Sequence, residues 1–233
     1  MKLTGTMYNT LVITKEDKIR ITEEGDQHFY TGVETPMRED AFKLDEESRI
    51  DAIAHHFGAI MDILGLDLND DSLSGTPYRV AKMYVQEVFS GLDPQNKPDV
   101  KLFDNKYQYG EMLVEKGIKV HSFCEHHFVP IIGKAHVAYI SSGKVIGLSK
   151  INRIVDYFSR RPQVQERLTV QIGRELEKLL GTKDVAIVLE ASHMCVSLRG
   201  IKDEGSSTVT SYYGGRFRDQ SRKEEFHRYA GIS

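Results

Sequence analysis

The sequence predicts an α+β fold built on an antiparallel sheet. Three observations predict it. Helical periodicity dominates before Asp104, and strand-like runs begin after it. The later order is strand, strand, helix, helix, strand, strand. Apolar residues make up 40% of the 233, enough for a sizeable core. The formal charge of −3 gives no global basic field for nucleic acid or an anionic membrane, so an anionic ligand must meet a local cluster of Lys and Arg. No apolar run approaches the ~20 residues of a membrane helix, and residues 1–10 lack the apolar stretch of a secretory signal. The expectation is a cytoplasmic chain.

Residues 1–33 read as an arm in which residues 11–14 and 19–22 flank a charged turn, predicting a small hairpin. Residues 34–105 read as a helical N-terminal region and 106–233 as the sheet-bearing catalytic domain. Within 46–64, Ile50, Ile53, Ala54, Phe57, Ile60, Met61 and Leu64 recur at three and four residues, and Gly65 stops the helix. A second helix starts with Thr76 as cap and Pro77 in its first turn, and ends before Gly91. Residues 112–123 and 131–140 read as strands, 147–160 and 162–180 as helices. Val164, Leu168, Ile172, Leu176 and Leu180 form an apolar stripe that Gly181 ends. Residues 184–198 and 206–213 read as strands, and 223–229 as a short terminal helix.

Chemistry concentrates in four places. Cys124-Glu125-His126-His127 offers a thiol and an imidazole three residues apart, a spacing that an unbent strand would send to opposite faces, so the chain must bend there. Alone, such a pair is weak evidence for a metal. His193-Met194-Cys195-Val196-Ser197-Leu198-Arg199 strengthens it. Read as a strand, this run places His193, Cys195, Ser197 and Arg199 on one face, and cysteine is rarely chosen for solvent. Cys124 and Cys195 are the only cysteines; with His127 they make three zinc donors and leave a fourth position for water. His126 and His193 stand beside them as proton carriers, which suggests a hydrolase. Ser149, read as a helix cap, with Lys150 and Arg153 predicts a phosphate cradle, against an ordinary capped helix with solvated cations. Pro162 reads as opening a helix with Glu166 in its first turns. That carboxylate serves either the helix dipole or a guanine edge, and spacing does not choose.

Five motifs then resemble the GTP cyclohydrolase I family. They are residues 76–84 (TPYRVAKMY), 122–128 (SFCEHHF), 145–155 (VIGLSKINRIV), 161–169 (RPQVQERLT) and 193–196 (HMCV), in order along roughly residues 34–233. The resemblance implies a tunnelling fold, a four-stranded antiparallel sheet with two inserted helices, preceded by N-terminal helices. It implies a homodecamer of two stacked rings with active sites between subunits. It implies zinc on Cys124, His127 and Cys195, and acid/base roles for His126 and His193. Gln165 and Glu166 would meet the purine. Ser149, Lys150, Arg153, Arg199, Arg79 and Lys82 would hold the triphosphate and ribose, and Ser149 could also shuttle protons. The implied reaction is GTP plus water giving formate and 7,8-dihydroneopterin triphosphate, with no nucleic-acid or membrane partner. Many relatives have Tyr where this chain has Met194. Two other readings compete: a zinc-stabilised nucleotide- or pterin-binding module without turnover, and Cys124 as a nucleophile, as in tunnelling-fold nitrile reductases.

Overall fold

The computed structural model describes residues 32–232 and Lys18. The chain divides into two units, residues 1–31 and 32–233, and all the elements named here belong to the second. The hairpin expected within residues 11–22 lies outside the described residues.

Helix α1 (Glu46–Ile63) begins where the Asp45 carboxylate accepts from the Ser48 amide at 2.8 Å, and ends before Gly65, whose φ of +82° suits glycine. Helix α2 (Thr76–Met83) packs against it. Its N-cap is Gly75, not Thr76, and no side chain caps it. Beyond Met83 the helix does not continue to Gly91 in α form: it widens to a π turn over Tyr84–Val88 and then tightens to 3₁₀ turns.

Strand β1 (Leu102–Asp104) precedes the long pair β2 (Met112–Cys124) and β3 (Pro130–Ile140), and β4 (Lys144–Ile146) returns to pair with β1. Helix α3 (Leu148–Ser159) follows, then β5 (Pro162–Gln163), α4 (Gln165–Leu180), β6 (Val185–His193), the single helical turn α5 (Met194–Ser197), β7 (Thr208–Tyr213) and α6 (Gln220–Ala230). The main sheet runs β5-β2-β3-β6-β7, antiparallel except for β5, which lies parallel to the end of β2. The four antiparallel strands are those expected; β5 and the β1–β4 pair are additions.

Alternation decides the layers. Ile118, Val120, Ala135, Val137, Tyr139, Ile187 and Leu189 face α3 and α4, which answer with Ile151, Ile154, Val155, Phe158, Leu168, Ile172, Leu176 and Leu180. The opposite face, at the Met112 end, packs Ala138, Ile140 and Val188 against Phe217 and against Phe226 of α6. Helix α4 reaches the sheet so closely that a Cβ on Gly173 would stand 2.5 Å from the Tyr212 ring.

Two expected elements are different. Pro162 opens no helix. It starts β5, where proline is tolerated at a strand's first residue, and α4 begins three residues later with Val164 as its N-cap. The strand expected over 184–198 stops at His193, and Met194–Ser197 coil into α5, closed by Leu198 N–H donating to Met194 O at 3.0 Å. His193, Cys195, Ser197 and Arg199 therefore do not share one strand face.

Candidate active site

The register brings three strand ends together. Phe123 pairs with Pro130, and Ile131 with His193, so the turn after β2 and the end of β6 meet at one edge of the sheet. The chain bends at Cys124: its N–H donates to Val129 O, and Phe128 N–H donates to Cys124 O, both at 2.8 Å. Phe128 takes a φ of +52°, which throws the intervening histidines out of the sheet. The coil of α5 turns Cys195 toward them.

One donor atom each from Cys124, His127 and Cys195 lies within 4.8 Å of the others. A tetrahedral ion with bonds of roughly 2.0–2.3 Å needs donors about 3.5 Å apart, a contraction that side-chain rotation supplies. Cys124 is buried, Cys195 half-buried and His127 exposed, so one side of the group opens outward. The Cys195 thiol is pushed up to about 11, first by burial and then by the neighbouring Cys124 thiol. Two thiolates cannot share this pocket without a cation between them, so the donor set fits a metal ion.

The other expected residues fall into two groups. Around the centre, His126 Nδ1 lies 3.7 Å from Cys124 Sγ, as does His127 Nδ1. The Arg199 guanidinium donates to His127 Nε2 at 2.7 Å. His193 Nε2 lies 2.7 Å from Gln165 Oε1. Burial holds the His193 imidazole below its usual value, and Glu166, exposed in the first turn of α4, opposes that shift. The second group stands apart. Ser149, Lys150 and Arg153 begin α3, whose cap is Gly147 rather than Ser149, with no side-chain cap bond. Lys150 Nζ donates to Asp99 O at 2.6 Å, and Asn152 approaches Glu115 at 3.5 Å. Glu115 precedes Cys124 by nine residues on β2, roughly 30 Å of extended strand. The Arg79 guanidinium is folded back onto Ser72 O and Thr76 Oγ1, and Lys82 is exposed on the same helix. Among the described residues, no hydrogen bond or ion pair ties Ser149, Lys150, Arg153, Arg79 or Lys82 to the cysteine centre.

Sequence reading missed two supports. Arg167, 6% exposed, forks onto Glu125, with Nη1 on Oε2 and Nη2 on Oε1. The partners are 42 residues apart, and no local pattern announces them. Thr169 and Thr210 stand behind Gln165, linked at 2.7 Å. Thr169 follows Gln165 by four residues, so their shared helix face was readable; Thr210 was not.

Sheet, helices and donors together define a tunnelling α+β fold carrying a three-donor centre able to hold a metal ion. Comparison with known proteins makes the class specific. The profile of the family described as GTP cyclohydrolase I matches residues 53–231. A protein named GTP cyclohydrolase 1 from Flavobacterium johnsoniae is 58% identical over 218 residues, 94% of this chain and 97% of that relative. Proteins of the same name from Aeromonas hydrophila and Salmonella arizonae are 57% and 54% identical, covering 81% and 84% of this chain and 86% and 89% of their own lengths. The chain belongs to the GTP cyclohydrolase I family.

Proposed function

We propose that this chain is a zinc enzyme that hydrolyses the imidazole ring of GTP, releases formate and rearranges the remainder to 7,8-dihydroneopterin triphosphate. The observation that carries the reading is the convergence of Cys124, His127 and Cys195 beside His193 on one open edge of the sheet. Three protein donors with an outward side are the arrangement of a catalytic rather than a structural zinc. Zinc bound there lowers the pKa of its water towards ~7 and so supplies a nucleophile at neutral pH.

The chain's own residues do the rest. His193 protonates the purine ring nitrogen as water adds at C8 and the ring C–N bond breaks. A second water releases C8 as formate. Glu166, exposed at the start of α4, accepts the N–H donors of the guanine edge. Arg199, on the lip of the centre, exchanges His127 for the triphosphate end of GTP. His126 and Ser149 carry protons in the later ribose rearrangement and ring closure.

Ser149, Lys150 and Arg153 lie too far along the sheet to serve the centre of their own chain, and supply a neighbour's. Two features support a homo-oligomer. Among the described residues, β7 has a free outer edge, and β2 meets β5 only at Phe123 and Cys124. Such edges invite pairing with further strands. Ile60, Ile63, Leu64 and Tyr78 leave apolar surface on the helical region. A decamer of two stacked rings satisfies both. Among the described residues no helix is long and apolar enough to cross a membrane, and both cysteines are free, which suits a reducing cytoplasm.

The deciding experiment measures zinc per chain and formate released from GTP on one preparation. One zinc and stoichiometric formate carry the proposal. Zinc without formate makes the chain a binding module; formate from a zinc-free protein removes the metal from the mechanism.

A further inference from the structure

Gln165 lies close to the guanine-reading position, yet its amide is fully committed elsewhere. Its Nε2 stands 3.1 Å from Leu189 O, 2.8 Å from Thr208 O and 3.1 Å from Thr210 Oγ1. Two of these acceptors are main-chain carbonyls, which never donate. Turning the amide over would set its oxygen against both of them. The third acceptor is fixed as well. The Thr169 hydroxyl donates to Gln165 O one turn back at 2.9 Å, so in the 2.7 Å contact between the threonines it must accept from Thr210. Thr210 has then spent its hydrogen, and its oxygen can only accept from Gln165. Gln165 and Thr169 are 2% and 1% exposed, so water cannot substitute for any of these partners.

The orientation of the amide is thereby set, and with it the proton on the histidine. Gln165 Oε1 is an acceptor facing His193 Nε2 at 2.7 Å, so Nε2 must carry hydrogen. His193 Nδ1 has no hydrogen-bond partner among the described residues. We infer that Gln165 is a positioning residue: it locks His193 with hydrogen on Nε2 and leaves Nδ1 as the atom that exchanges protons with the substrate. The tautomer left after Nδ1 gives up its proton is the one Gln165 already holds, so no rearrangement is needed after the transfer. Thr169 and Thr210 act through Gln165 in the same sense. Gln165 does not read the purine; that task stays with Glu166. The inference rests on His193 as the proton donor of the proposed function.

The test separates the two. Solid-state ¹⁵N NMR of the zinc-loaded, histidine-labelled enzyme at pH 8.5, with His193→Asn subtracted to assign the signal, reads the tautomer without any change at position 165. Hydrogen on Nε2 is expected; hydrogen on Nδ1, or a mixture, overturns the inference. Kinetics of Gln165→Met, which keeps length and loses both hydrogen-bonding groups, should show kcat lower by about 10- to 100-fold with KM for GTP unchanged. A raised KM with unchanged kcat would return Gln165 to purine binding, and unchanged kinetics would remove it from the site; either overturns the inference. Full formate release by His193→Asn would instead sink the role of His193, whatever the tautomer.

Discussion

The guanidinium of Arg167 holds the carboxylate of Glu125 with both terminal nitrogens, and so ties the histidine-bearing turn after β2 to the first turns of α4. The side chains are 4% and 17% exposed. Arg167 also donates from Nε to Gly32 O at 3.1 Å, which leaves it little freedom.

Breaking this fork strands a half-buried carboxylate beside the candidate metal donors. Arg167→Ala should lower stability by about 2–3 kcal/mol, between the cost for an exposed and for a fully buried pair. It should also weaken metal binding by about 10- to 100-fold, because the turn that orients His127 loses its anchor. Arg167→Lys keeps the charge, loses the fork and should fall between. Calorimetry and competitive metal titration check both effects.

Metal removal exposes the two thiols to each other. Chelation should abolish formate release, and in air Cys124 and Cys195 should then close to a disulfide, since their donor atoms already lie within 4.8 Å. Mass spectrometry of the intact chain would show the loss of two hydrogens. Both thiols remaining free and alkylatable after hours in air would contradict this.

Glu166→Ala should weaken GTP binding by roughly 10- to 100-fold, the cost of leaving the guanine donors without their acceptor. ATP, which lacks those donors, should bind the parent poorly and be almost indifferent to the change. Isothermal titration with both nucleotides decides it.

If Lys150 serves a neighbour's centre, two dead variants should rescue each other. Lys150→Ala and His193→Ala subunits, dissociated, mixed and reassembled, should release formate although neither does so alone. Mixed assemblies that form and stay silent would place each site within one chain.

His136 offers a pH test away from the metal. It sits mid-strand in β3 with Nδ1 buried and unpaired, and burial holds its imidazole below the ordinary 6.5. Glu190 opposes that shift, and Lys116 and Lys134 add to it. Charging His136 costs more in the folded chain than in the unfolded one. Its contribution is therefore complete above pH 6.5 and is lost as pH falls below that value towards the lowered folded one. Melting temperatures of the parent should fall across that window, and His136→Gln should flatten the fall.

The sequence carried the convergence of Cys124, His127 and Cys195, a group able to hold a metal ion, because cysteine is scarce and both copies sit beside histidine. It carried the helix α1 because stripe and stop agreed: apolar residues recur at helical spacing from Ile50 to Leu64, and Gly65 ends them. It misplaced 194–198 for a definite reason. Alternating Met194, Val196 and Leu198 satisfies a strand, while Met194 and Leu198 are also one helical turn apart, and only the packing of Cys195 toward Cys124 breaks the tie. Pro162 was ambiguous in the same way, since proline suits both a helix start and a strand start. What no local pattern could reveal were partners distant in the chain, Arg167 with Glu125 and Gln165 with Thr210. Nor could spacing tell that Asn152, near the start of α3, meets Glu115, nine residues along β2 from Cys124.

The placement of Cys124 and Cys195 would give a bound metal a second office. They close a loop of roughly seventy residues that contains β3, both core helices and β6. An ion bound to both thiols would join the two ends of that loop only while the site is assembled, so its binding free energy would add to the folding free energy. Metal-loaded protein should thus resist heat and protease better than the stripped form, and metal supply would then govern how long the chain survives.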